Sequence, residues 1–198
     1  MIHGRRKMLA TAPLLWPGAA FAHAPIAGVN SFYNGLLHPL FVPVHVLLLA
    51  ALGLLFGQQG AVKNAWILLV YLGAVVLGLC VAPFSPGPDL EPILLVVAGA
   101  LGLLLGVSPP LPAPWLTVIG VLSGFLVGLD SFQSGLAFKN AVLGLFGSGI
   151  SLYLLPLYPM GLVETFSKRS WQRIGVRVLG SWIAASALLV LSLSLARS

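Results

Sequence analysis

The sequence predicts an all-α fold, a polytopic bundle of six transmembrane helices behind a cleaved signal peptide. Three observations predict it. Of 198 residues, 59% are hydrophobic and 7% charged, whereas a soluble domain carries about 25% charged residues. Such a chain cannot cover itself with polar surface in water. Apolar runs near the roughly 20 residues that a span requires recur six times, separated by polar or proline-rich breaks. The 23 glycines and 15 prolines fit as well, because both residues are commoner in membrane helices and small residues let helix backbones approach closely.

The N-terminus has the parts of a secretory signal. Arg5-Arg6-Lys7 forms a basic region, Met8 to Trp16 a short apolar stretch, and Ala20-Phe21-Ala22 a small-x-small cleavage pattern. Residues 1–22 are expected to be removed, leaving 23–198 as the transmembrane domain with His23 at its new N-terminus. A free α-amine beside an imidazole can hold one metal ion through two nitrogens. The plainer reading is that His23 is tolerated after the cleavage site.

The first span is expected over 36–56, followed by Gln58, Gln59, Gly60 and Lys63. The second covers 64–82 and ends at the breaker cluster Pro83-Phe84-Ser85-Pro86-Gly87-Pro88. The third covers 91–107, and Pro109, Pro110, Pro112 and Pro114 make the turn to the fourth, over 115–130. The fifth covers 136–158, with Pro156 and Pro159 placed to kink or end it. The sixth covers 173–195. With the N-terminus outside, Lys63 and the cluster Lys168, Arg169, Arg173 and Arg177 fall inside, as the positive-inside rule requires, and the C-terminus returns outside. The net charge of +6 is thus a topology signal and not a nucleic-acid footprint. Cys80, the one cysteine, excludes an intrachain disulfide and reads as a small packing residue.

Ionisable and polar groups inside a membrane are costly and mark functional sites. His38 and His45 open the first span in the run His38-Pro39-Leu40-Phe41-Val42-Pro43-Val44-His45. The topology gathers Glu91, Asp130, Gln133 and Asn140 at the same outer end, which predicts an outward-facing vestibule. Along a continuous helix seven residues are about two turns, so the histidines face one way about 10 Å apart. Metal–nitrogen bonds are about 2 Å, so one ion could not touch both. Each side chain also has a structural reading: His38 interfacial beside Pro39, and His45 donating to a backbone carbonyl. Asp130 reads best as a cap on the fifth span or a partner for Lys139, and the Lys139 charge would repel an arriving dication.

These residues carry a resemblance. The chain resembles the HupE/UreJ family, small bacterial membrane proteins encoded with nickel hydrogenase or urease systems. The family's first motif reads roughly H-P-x-x-G-x-D-H; His38, Pro39 and His45 match it, while Val42 and Val44 replace its Gly and Asp. Val127 stands at the His of a His-Gly motif in the fourth span. Gly144 stands at a His of the fifth, where Leu143 and Gly147 are kept. The resemblance implies a six-span permease of the bacterial inner membrane, with both termini periplasmic. Its cargo would be a divalent metal, nickel or cobalt, moving inward by way of His23, His38, His45 and Asp130. No cofactor or enzymatic activity is implied; the partners are the bilayer, the metal, and a second copy or a metalloenzyme-maturation protein. The missing ligands motivate the alternative, a member that has lost transport and serves as a membrane accessory or carries another small solute.

Overall fold

The computed structural model describes residues 28–63, 65–85, 89–133 and 136–196. The signal peptide and His23 lie outside the described residues. Among the described residues the fold is wholly helical: α1 Ser31–Phe41, α2 Pro43–Gln58, α3 Ala65–Val81, α4 Glu91–Val107, α5 Ala113–Asp130, α6 Phe138–Phe166 and α7 Ser170–Leu195. Asn30 starts α1 by accepting the Phe32 N–H at 2.9 Å, and prolines stand in the first turn of α2, α4 and α5, where no backbone donor is needed.

The expected first span is two helices, bent by 73° between Phe41 and Pro43. The cause is local. Pro43 has no N–H for the Pro39 carbonyl and its ring would collide with it, while the residue before a proline is pushed out of the helical region. Val42 accordingly sits at φ −95°, ψ 105°, and α2 restarts on its carbonyl, which accepts the N–H of His45 at 3.0 Å and of Val46 at 3.3 Å.

Three other prolines, Pro39, Pro156 and Pro159, lie inside helices without breaking them, and for the first two the reason is the same. Pro39 inside α1 leaves the Gly35 carbonyl without its helical donor, and Ser148 of α6 donates to it at 3.1 Å. Pro156 inside α6 frees the Leu152 carbonyl, and Tyr71 of α3 donates to it at 2.8 Å. A neighbouring helix thus repairs each gap, which is how membrane helices tolerate proline. With the Pro156 gap filled, α6 continues, and it runs on through Pro159 to Phe166, past the end at 158 that the prolines predict.

The central helix is α2, apolar on every side, with Leu48, Leu49, Leu52, Leu55 and Phe56 wholly buried. It packs against α6 and α4; α1 also lies on α6, α3 pairs with α5, and α4 with α7. Glycines set these approaches. A Cβ on Gly35 would meet the Gly144 carbonyl, one on Gly124 would come within 2.8 Å of the Tyr71 carbonyl, and one on Gly180 would strike Leu105. The small-residue spacings of α4 and α6 therefore serve contacts within one chain.

Four helices are long and apolar enough to cross a membrane, and five if the bent α1–α2 pair is counted as one broken span and not as a re-entrant loop. With 17 residues, α4 is about 25 Å long, a little short of a hydrocarbon core of about 30 Å. Cys80 is exposed, which corrects its reading as a packing residue.

Candidate metal-binding site at the helix break

The 73° bend at Val42 sets α2 steeply across the line of α1 and brings the two histidines together. Their ring centroids are 5.6 Å apart with planes at 76°. With metal–nitrogen bonds of about 2 Å and a ring radius of about 1 Å, two imidazoles on one ion have centroids at most about 6 Å apart. The separation of about 10 Å expected from a continuous helix is therefore overturned, because the helix is not continuous, and the ring separation falls within the span of one shared ion.

His45 is wholly buried, and its Nε2 lies 2.8 Å from Oδ2 of Asp130, whose side chain is 11% exposed. This overturns two expectations. His45 bonds a carboxylate and not a backbone carbonyl. Asp130 neither caps α6 nor pairs with Lys139: it is the last residue of α5, the N-cap of α6 is Ala137 with no side-chain bond, and Lys139 is exposed. A carboxylate accepting at Nε2 holds the imidazole proton there and leaves the Nδ1 lone pair available. Nδ1 of His45 is buried and has no hydrogen-bond partner among the described residues. A ligating histidine is typically held this way, by a carboxylate on its other ring nitrogen. The motif position that the family fills with Asp holds buried Val44; the carboxylate for His45 comes instead from a residue 85 positions away.

The remaining candidates separate. Gln133 is buried, with its Oε1 unbonded among the described residues, and shares a small cavity with Ser131 and Gly144. Asn140 is exposed on the first turn of α6, and Glu91 is half-buried at the start of α4. No group of three or more His, Cys, Asp or Glu side chains among the described residues is placed to hold a metal ion. The expected open vestibule is a buried pair of imidazoles backed by one carboxylate.

Below the pair the bundle is closed. Val127, one turn inward from Asp130, is wholly buried, and so is Ser123 another turn on, whose Oγ has no partner among the described residues. Sequence reasoning missed Ser123, although its spacing of seven from Asp130 puts both on one face of α5.

No curated protein and no solved structure matches the chain. The family model described as HupE / UreJ protein matches residues 11–190. That match covers nearly the whole chain, the helix break and all three site residues included, and the chain belongs to the HupE/UreJ family.

Proposed function

We propose that this chain binds a divalent transition-metal ion, nickel or cobalt, between His38 and His45 and passes it inward across the bacterial inner membrane. The family is linked to nickel and cobalt transport and to urease or hydrogenase maturation. The observation that carries the reading is the 5.6 Å approach of the two imidazoles with Asp130 bonded behind one of them. Imidazole nitrogen suits both metals. Asp130 acts as a positioning residue: it fixes the His45 tautomer and makes the ring a stronger donor. Water or a residue outside the described ones completes the coordination, and His23, after cleavage at Ala22, is a capture point on the way in.

In this reading α4 and the bent α1–α2 pair count as spans, giving six, with both termini periplasmic and the Lys168 to Arg177 cluster inside. Movement past His45 requires Val127 and the α2 leucines to part, with Ser123 as the next polar stop. The direct test is nickel and cobalt uptake into proteoliposomes, with His38→Ala and His45→Ala as controls. The proposal expects uptake by the native chain and none by either variant; uptake equal to empty vesicles would sink it.

A specific observation favours a second reading. Two imidazoles with no group of three His, Cys, Asp or Glu ligands placed among the described residues, above an apolar plug, also fit a family member that senses or holds metal without moving it and works as a membrane accessory. Saturable binding without uptake would select it.

A further inference from the structure

A wide apolar groove of about 1040 Å³ opens between α3 and α6 on the surface of the bundle. Its α3 wall runs from Leu72 to Cys80 and its α6 wall from Ala141 to Leu154; Phe84 and Phe138, both largely exposed, flank the mouth. We infer that this groove seats the acyl chain of an anionic phospholipid from the leaflet on the His38 side.

Depth selects the occupant. At the helical rise the α3 wall is about 12 Å deep and the α6 wall about 20 Å. One leaflet contributes about 15 Å of hydrocarbon, whereas a partner helix would need the full 30 Å or so. Near its inner end the Tyr71 hydroxyl bonds the Leu152 carbonyl at 2.8 Å, which ties α3 to α6 beside the last lining residues of the α6 wall, Tyr153 and Leu154. The lining is apolar almost throughout, as a lipid tail requires and a polar solute would not tolerate.

Charge selects the headgroup. Lys139 is exposed on the first turn of α6 and shares a helix face with the lining residues Val142 and Phe146, at i, i+3 and i+7. It stands at the outer edge of the wall, where a lysine reaches the interface. Among the described residues it makes no ion pair, because Asp130 is turned to His45. A lipid phosphate with an uncompensated negative charge fits that position.

The seat adjoins the metal site without depending on it. Phe132, Leu136 and Leu145 line both the groove and the small cavity beside Gln133, so a seated chain packs against the loop that follows Asp130. The inference does not rest on the metal reading.

Native mass spectrometry of delipidated, detergent-purified protein titrated with phosphatidylglycerol or phosphatidylcholine tests it. One phosphatidylglycerol per chain is expected, about fivefold tighter than phosphatidylcholine, the equivalent of one interfacial lysine. Lys139→Gln should erase that preference. Cys80→Trp and Val142→Trp fill the groove from opposite walls, both at exposed positions outside the core, and should abolish the adduct with helicity unchanged. Survival of the adduct in either folded tryptophan variant overturns the inference, as does equal affinity for the two lipids. Loss of a dimer in place of a lipid would assign the groove to a second copy and overturn it too.

Discussion

The two ends of the bundle use their polar side chains in opposite ways. At the end carrying Gln58, Gln59, Glu164 and Arg177, side chains bond to backbone. Gln59 donates to the Pro109 carbonyl at 2.8 Å and accepts the Leu111 N–H at 3.1 Å. Glu164 accepts the Ala61 N–H at 2.8 Å, and Arg177 donates to the Gly106 carbonyl at 2.7 Å, a cation on the last turn of α4. These bonds satisfy helix ends and loops that have no other donors. At the histidine end, side chains such as Ser148 also bond backbone, but His45 bonds the Asp130 carboxylate, side chain to side chain. Buried atoms left without a hydrogen bond among the described residues include His45 Nδ1 and Gln133 Oε1 there, and Gln58 Oε1 at the other end. A buried polar atom without a partner costs stability, and at the histidine end that cost falls on an imidazole nitrogen, a metal donor, beside a second imidazole. The comparison teaches that neither placement nor an unspent atom alone separates a binding site from a structural latch; the chemistry of that atom does, an imidazole nitrogen at one end against the Gln58 amide oxygen at the other.

If the comparison holds, substitutions at the two ends split between binding and stability. The largest effect belongs to the imidazoles. His38→Ala and His45→Ala should each abolish saturable nickel binding in isothermal titration calorimetry of tag-free protein. Asp130→Asn keeps the shape and removes the charge behind His45. It should weaken nickel binding about 10–100-fold while the thermal midpoint moves little; unchanged affinity would reduce Asp130 to a packing residue. Tyr71→Phe leaves the Leu152 carbonyl unfilled behind Pro156. It should lower stability by about 1 kcal/mol, seen as an earlier thermal transition, with nickel affinity intact. Gln59→Ala should cost about as much or less, since water can reach that surface, and should also leave nickel affinity alone. A metal-binding defect in Gln59→Ala at normal stability would break the division between the ends.

Much of the fold is legible in the chain. Apolar length and the proline clusters locate the helices, with the second and third expected spans falling within a residue of α3 and α4. The fifth overruns because a proline's effect depends on a neighbour: nothing local to Pro156 reveals that Tyr71 will fill the gap it leaves. The site is half legible. His38 and His45 announce themselves as imidazoles in an apolar run. Their distance is misread because Val42-Pro43 is treated as part of one helix, although a residue before proline resists the helical region. The His45–Asp130 bond is not legible, since it joins positions 85 apart through a packing of α2 and α5 that glycine contacts elsewhere in the bundle decide.

The central claim is that the helix break makes one site from two histidines. Pro43→Ala tests it without touching a ligand, because it restores the missing backbone donor and lets α1 and α2 join. Nickel titration calorimetry on this variant should show affinity reduced about tenfold or more, since two donors on one rigid bend act at a high effective concentration that a straight helix loses. Native affinity and stoichiometry in a folded Pro43→Ala protein would contradict the account.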